Sequence, residues 1–208
     1  MEKIYETAYA KINLGLDVLG KRSDGYHEVR MVMQSVGLSD AVEIEEGEGL
    51  VVETDHSGLA GGPDNLAWKA AELLARCCGK IPNVHIRLNK KIFLAAGLAG
   101  GSSDAAAVMR GLSRLWQLDL TAPELEKLAA ELGSDIPFCI TGGTALAEGR
   151  GEILTELPEA PELLLVLAKP KLEVATGWVY GNFRQQKVNQ RPDIDGIIKA
   201  LEQSATGL

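Results

Sequence analysis

Cysteine is scarce in this 208-residue chain and is not spaced for a disulfide framework or a metal site. Cys77 and Cys78 are adjacent, Cys139 stands alone, and there is no Cys-x-x-Cys pair. An odd number of cysteines without paired spacing argues against a disulfide-stapled secreted fold and against a zinc site. We therefore predict reduced thiols, a cytoplasmic protein and no protein-held metal.

Long apolar runs and an excess of basic charge are also missing. No window approaches the ~18 apolar residues of a membrane-spanning helix, and the opening Met-Glu-Lys-Ile-Tyr has no apolar signal core. Lysine and arginine number 21 against 29 aspartate and glutamate, a formal net charge of −8. This balance disfavours nucleic acid and anionic membranes as partners. The hydrophobic fraction of 46% suffices for one large domain or two small ones.

Glycine, by contrast, is abundant, with 23 in the chain, and it concentrates in one segment. Gly97-Leu98-Ala99-Gly100-Gly101-Ser102-Ser103-Asp104 follows the alternating apolar pattern of a strand and precedes an amphipathic helix. Glycine lets backbone N–H groups approach an anion closely, and a helix start adds unpaired amides and the positive end of a dipole. Ser102 or Ser103 is the predicted N-cap, and both hydroxyls could reach a phosphate or its Mg²⁺.

Two familiar phosphate motifs do not fit this segment. No Gly-Lys-Ser/Thr follows, as a Walker loop requires, and Ala99 interrupts the Gly-x-Gly-x-x-Gly dinucleotide pattern. A glycine-rich connection that only packs closely is the alternative to an anion site. The clustered small residues before a helix favour anion binding without naming the anion.

The remaining patterns predict an α+β protein with two domains. Strands at the N-terminus are expected to break at Gly15 and Gly20. A shift in composition at Pro158–Glu162 divides residues 1–158 from residues 159–208. The second part holds an apolar strand at 163–168 and helices at 174–186 and 195–203. One strand and two helices cannot cover each other well, so this domain is predicted to be incomplete.

Three segments together resemble the GHMP small-molecule kinase superfamily. They are Ala8-Tyr9-Ala10-Lys11-Ile12-Asn13-Leu14, residues 94–106, and Leu132-Gly133-Ser134-Asp135-Ile136-Pro137. The resemblance implies an N-terminal kinase domain of the ribosomal protein S5 domain 2-like fold over residues 1–158. A ferredoxin-like C-terminal domain, only partly present, would occupy residues 159–208.

The resemblance also implies an ATP-dependent kinase that uses Mg²⁺, with Lys11 and Asp135 as the catalytic pair. Asp135 would accept the proton of the substrate hydroxyl, while Lys11 would orient that carboxylate and offset negative charge near the γ-phosphate. The implied ATP-binding residues form the glycine-rich loop: Leu94, Ala95, Ala96, Gly97, Leu98, Ala99, Gly100, Gly101, Ser102 and Ser103.

Within the superfamily, Lys-Arg-Ser-Asp-Gly-Tyr-His-Glu at residues 21–28 resembles kinases that act in the non-mevalonate isoprenoid pathway. Their substrate is a cytidine-diphosphate-linked methylerythritol, phosphorylated on its 2-hydroxyl. By the same resemblance, Tyr26, His27 and Tyr180 would form the cytosine pocket. Asn13 should share a strand face with Lys11, two residues before it, and bind the same substrate.

Two departures from the family pattern leave alternatives open. Phe93 stands where the family usually has proline, and Ala95, Ala96 and Ala99 replace loop glycines, so positive φ is expected only at the remaining glycines. A third glycine-rich motif is not found after Leu172, which predicts a truncated kinase. A mevalonate- or homoserine-type kinase and an inactive fragment are the alternatives. A monomer or weak homodimer is expected.

Overall fold

The computed structural model describes residues 3–172, 174–184 and 187–206. Within these ranges there are six strands: Lys3–Lys21 (β1), His27–Glu46 (β2), Leu50–Thr54 (β3), Val84–Asn89 (β4), Thr144–Glu148 (β5) and Ile153–Glu156 (β6). The helices in the same ranges are Leu66–Cys77 (α1), Gly100–Leu115 (α2), Ala122–Ala129 (α3), Ile136–Thr141 (α4), Thr176–Asn182 (α5) and Ile194–Thr206 (α6). The prediction of an α+β protein is confirmed.

The chain divides into two compact units, each built from several segments. The first contains Met1–Ala10, Val36–Ile92 and Ala99–Thr141, and the second contains Lys11–Ser35, Phe93–Leu98 and Gly142–Leu208. Both β1 and β2 therefore contribute residues to each unit, and β1 pairs with β2. The sequence-based division between residues 158 and 159 stays a prediction.

In the first unit, helices pack on a sheet in which β4 is the central strand. It runs antiparallel to the second half of β2, with Ala41 opposite Asn89, and parallel to β3, with Leu50 opposite Val84. The alternating residues Val84, Ile86 and Leu88 are buried, as a strand with one face on a core requires. Helix α2 packs on the same core through residues 105–109, all fully buried. Strand β4, paired on both sides and buried on one face, thus ends shortly before the glycine-rich loop.

In the second unit, β5 lies between the first half of β2 and β6. Met31 of β2 is opposite Ala147 of β5, and β5 and β6 form an antiparallel pair on both sides of residues 149–151. Strand β1 is continuous, so the predicted breaks at Gly15 and Gly20 are wrong. Gly15 instead accommodates α6, because a Cβ at that position would lie 2.6 Å from Ile197 Cδ1.

The predicted strand at residues 163–168 is wrong. The structure has no regular secondary structure from residue 157 to residue 170, and Leu164 and Val166 are 100% and 96% exposed. A strand is stabilised through hydrogen bonds to a neighbouring strand, and no described strand pairs with this segment. Of the predicted helix at 174–186, only Thr176–Asn182 forms, and residues 185 and 186 lie outside the described ranges.

Candidate active site

The glycine-rich loop enters the left-handed backbone region at three positions. Gly97 has a φ of 71°, as expected of a glycine, but Ala95 and Ala99 also have positive φ, at 49° and 58°. The expectation that only glycines would take this conformation is wrong. A left-handed alanine costs about 1–2 kcal/mol, and such positions concentrate at functional sites. The strain at these two alanines supports a functional reason for the loop's shape.

Helix α2 begins without a side-chain cap. Ala99 occupies the N-cap position, and its carbonyl accepts a hydrogen bond from the Ser103 backbone N–H at 2.8 Å. The predicted capping by Ser102 or Ser103 is therefore wrong. The Ser103 hydroxyl is buried and donates to the Tyr9 carbonyl at 2.6 Å, whereas Ser102 is partly exposed. A first turn without a side-chain cap keeps backbone N–H groups as donors for an anion.

Gly100 and Gly101 differ in how much space surrounds the position where a side chain would begin. A Cβ at Gly100 would lie 3.0 Å from Ile92 Cγ2, so packing within the first unit explains this glycine. A Cβ at Gly101 would meet only Leu66 Cδ1, at an ordinary 3.4 Å, and the residue is exposed. The fold itself tolerates a side chain at Gly101, so packing does not explain this glycine.

Lys11 lies on β1 within the second unit. Its backbone N–H donates to the Leu98 carbonyl at 3.1 Å, which ties β1 to the glycine-rich loop. Lys11 is only 5% exposed, and its Nζ donates to Asn13 Oδ1 at 3.2 Å. The prediction that Lys11 and Asn13 share one strand face is confirmed. A buried ammonium beside an amide oxygen can present positive charge to an anionic ligand.

Asp135 lies in the first unit, directly before the short helix α4. It is partly buried, and its backbone carbonyl accepts a hydrogen bond from Cys139 N–H at 3.3 Å. Arg110 of α2 holds α4 by donating through Nη1 to the Cys139 carbonyl at 2.7 Å and to the Ile140 carbonyl at 3.2 Å. The position of Asp135 is thus set by packed helices. Its predicted pairing with Lys11 stays a prediction.

An aromatic cluster in the second unit gathers residues predicted for the cytosine pocket. The rings of His27 and Tyr180 lie 5.2 Å apart, and Phe183 meets His27 edge-on at 6.3 Å. Tyr26 is 53% exposed, and the Arg150 guanidinium lies 4.8 Å from the centre of its ring. Such rings can stack with a planar heterocycle.

Sequence reasoning missed both Phe183 and Arg150. Arg150 belongs to the Gly149-Arg150-Gly151 turn, whose pattern indicates only a connection between strands. Phe183 directly follows α5 and is one of three phenylalanines in the chain. Neither carries a motif, so no local signal marked them.

A second missed feature is a buried charge cluster in the first unit. The Lys90 ammonium donates to carboxylate oxygens of both Asp40 and Asp104, and all three side chains are at most 2% exposed. Burial raises the pKa of the Asp104 carboxyl to about 7, although the neighbouring Lys90 acts to lower it. Asp104 Oδ1 has no hydrogen-bond partner among the described residues.

Neither a membrane span nor a metal cluster is found in the part of the chain that the structure describes. No helix in the described ranges is both long and apolar enough to cross a membrane. Nor does any set of three or more His, Cys, Asp or Glu side chains in those ranges come together as a metal site.

Comparisons with known proteins agree with these features. The family model "GHMP kinases N terminal domain" matches residues 65–143, which include the loop and Asp135. The chain is 48% identical to 4-diphosphocytidyl-2-C-methyl-D-erythritol kinase from Acetivibrio thermocellus, over 100% of this chain and 74% of that protein.

Solved structures give the same result for the fold. The crystal structure of 4-(cytidine 5'-diphospho)-2C-methyl-D-erythritol kinase matches with a TM-score of 0.77 and 34% identity, over 97% of this chain and 72% of that one. A homoserine kinase from Cytophaga hutchinsonii matches with a TM-score of 0.64 but only 17% identity, over 97% and 69%, and indicates the shared fold alone. The predicted GHMP-kinase fold is confirmed, with an N-terminal domain and part of a C-terminal domain.

Proposed function

Because the chain belongs to the family of 4-diphosphocytidyl-2-C-methyl-D-erythritol kinases, we propose that it phosphorylates the 2-hydroxyl of 4-diphosphocytidyl-2-C-methyl-D-erythritol. The protein is an ATP-dependent small-molecule kinase. The observation that carries the substrate assignment is the aromatic cluster of His27, Tyr180 and Phe183, which offers stacking surfaces suited to a cytosine.

ATP binds, in this proposal, with its phosphates against the backbone of the glycine-rich loop and the first turn of α2. The left-handed residues Ala95, Gly97 and Ala99 shape the loop, and the exposed Gly101 lets phosphate oxygens approach the main chain. Mg²⁺ would enter this site with ATP, and it would offset the negative charge of the phosphates. The Ser103 hydroxyl already donates to the Tyr9 carbonyl. The hydroxyl of Ser102 would therefore be the one that contacts the phosphate or its Mg²⁺.

The proposed reaction uses Asp135 and Lys11. The substrate 2-hydroxyl gives its proton to the Asp135 carboxylate as its oxygen forms a bond to the γ-phosphorus of ATP. The bond from that phosphorus to the bridging oxygen breaks, and ADP leaves with the electron pair. Lys11 offsets the negative charge that gathers on the transferred group. Asn13, which accepts from Lys11 Nζ, holds that ammonium in place and can bind the same substrate.

A panel of three substrates tests the assignment directly. ADP release is measured with ATP and 4-diphosphocytidyl-2-C-methyl-D-erythritol, with mevalonate and with homoserine, each at matched concentration. We expect turnover with the cytidyl substrate only, because only that substrate can use the aromatic cluster. Turnover with mevalonate or homoserine would support the other kinase type. The inactive-fragment alternative predicts no turnover with any of the three, together with binding of a dye that reports exposed apolar surface.

Replacing Gly101 by alanine tests the loop separately from the substrate. The structure has room for the Cβ, and alanine is a better helix former than glycine by about 0.5–1 kcal/mol, so the thermal midpoint should not fall. ATP affinity should nevertheless drop at least about tenfold, because the methyl group separates phosphate oxygens from the backbone. Calorimetric titration with ATP measures this.

The matched control for this experiment is Gly62→Ala, where a Cβ would have no other atom within 4 Å and the backbone φ is outside the left-handed range. Unchanged ATP affinity in Gly101→Ala would contradict the loop assignment. A fall of equal size in Gly62→Ala would contradict it as well.

A further inference from the structure

The buried cluster of Lys90, Asp40 and Asp104 connects the two segments that flank the glycine-rich loop. Lys90 directly follows β4, and Asp104 lies on α2 at its fifth residue. Asp40, from β2, supplies the second carboxylate that contacts the Lys90 ammonium. The link therefore joins the chain entering the loop to the helix leaving it, and both anchor points belong to the first unit.

Asp40 also holds the backbone at the entry of the loop. Its Oδ1 accepts the N–H groups of Lys91 and Ile92, the latter at 2.8 Å. The Ile92 side chain in turn lies against Gly100, where an added Cβ would be 3.0 Å from Ile92 Cγ2. Charge, backbone hydrogen bonds and packing thus all fix the separation between residue 92 and residue 100.

The composition of the cluster is a poor choice for stability alone. Two carboxylates and one ammonium are almost fully removed from water, and one carboxylate oxygen, Asp104 Oδ1, has no hydrogen-bond partner among the described residues. Buried ion pairs contribute little net stability compared with apolar side chains of similar size. What such a group does supply is a fixed geometry, because its charged hydrogen bonds form in only one arrangement of the three side chains.

We propose that Lys90, Asp40 and Asp104 are positioning residues that set the shape of the nucleotide-binding loop without touching the nucleotide. This inference rests on the proposed function, in which the loop binds the phosphates of ATP. A change in the shape of the loop would move the phosphates that bind to it. A displacement of about 1 Å in a reacting group can lower a rate by about 100-fold. Binding of the cytidyl substrate depends on a different set of residues, the aromatic cluster, so the charge cluster should not act on it.

The test compares two substitutions at one position. Asp104→Ala removes one of the two carboxylate acceptors of Lys90 and leaves the Lys90–Asp40 pair, whereas Asp104→Asn keeps an acceptor oxygen on a side chain of the same shape. We expect Asp104→Ala to lower kcat/KM for ATP at least about tenfold with the KM for the cytidyl substrate unchanged, and Asp104→Asn to stay within about twofold of the parent protein. Asp119→Ala, at an exposed aspartate of the same unit, is the matched control.

Amide hydrogen exchange provides a readout that does not depend on activity. Exchange at residues 93–103 should become faster in Asp104→Ala, while exchange in β3 should not change. If ATP does not bind to the parent protein, the proposed function fails, and faster exchange in the loop still supports the positioning role. The inference is overturned if Asp104→Ala leaves both loop exchange and kcat/KM for ATP unchanged. It is equally overturned if exchange accelerates throughout the first unit to the same extent as in the loop, since the cluster would then serve general stability.

Discussion

Replacing Asp135 by asparagine will lower turnover by about 100- to 10,000-fold while ATP affinity stays within about twofold. The amide has the shape of the carboxylate but cannot accept the proton of the substrate hydroxyl at neutral pH. Folding should be retained, because asparagine has the size and shape of aspartate, and the hydrogen bond from Cys139 N–H to the backbone carbonyl of residue 135 remains. ATP titration and steady-state ADP release, measured on the same preparation, separate the two effects.

The control for this substitution is Asp119→Asn, which changes the same chemical group at an exposed position of the first unit. Its turnover should equal that of the parent protein. If Asp135→Asn lost ATP affinity and turnover in equal proportion, Asp135 would be a structural residue. If turnover were retained, another group would be the proton acceptor, and the residue-by-residue match to the family would fail at this position.

Local patterns in the sequence predicted the parts of the site that depend on neighbouring residues. The period of two along a strand places Lys11 and Asn13 on one face, and the structure joins them by a hydrogen bond. The glycine-rich segment lies between a strand and a helix, as its flanking patterns predict. Its backbone conformation was not predictable, because the positive φ of Ala95 and Ala99 is imposed by how the loop must connect its ends. Propensity describes which backbone conformation a residue prefers. Tertiary structure can hold the residue in another conformation at a moderate cost in free energy.

Contacts between residues distant in the sequence were not predictable from one chain. Lys90 and Asp40 are separated by 50 positions, and nothing near either residue marks it as buried. An isolated lysine or aspartate is almost always exposed, so sequence reasoning treats both as surface residues. Ser103 shows the same difficulty on a smaller scale. Serine at a helix start favours capping, but its hydroxyl instead reaches Tyr9, which is 94 positions away.

The predicted strand at residues 163–168 failed for a related reason. A run of apolar residues indicates burial, but a strand also needs a partner for its backbone N–H and C=O groups. No described strand pairs with the segment, and Leu164 is fully exposed. The pattern was typical of a buried strand, while pairing is a property of the rest of the fold.

Replacing Lys90 by methionine should reduce the free energy of unfolding by about 3–5 kcal/mol, the usual consequence of leaving a buried charge without its partner. Methionine has nearly the length of the lysine side chain, so the loss will come from charge more than from packing. Without the ammonium, the carboxylates of Asp40 and Asp104 face each other inside the first unit with no cation between them. Urea unfolding at pH 7 measures the difference. The neighbouring Lys91, whose side chain is exposed, supplies the control, and Lys91→Met should change the free energy of unfolding by less than about 0.5 kcal/mol.

The pH dependence of this loss identifies its cause. The pKa of Asp104 is raised from 3.8 to about 7 in the folded protein, so between these values the folded state holds a proton that the unfolded state has released. Stability arising from this group is therefore greatest at low pH and falls as pH rises toward 7, by up to about 1.4 kcal/mol per pH unit. In Lys90→Met the loss of the neighbouring cation should raise the pKa of Asp104 further, because Lys90 acts to lower it in the parent protein. The free energy of unfolding of Lys90→Met should accordingly fall further below that of the parent protein at pH 8 than at pH 5. A deficit that is the same at both pH values would mean that Lys90 contributes through packing, and the electrostatic account of the cluster would be wrong.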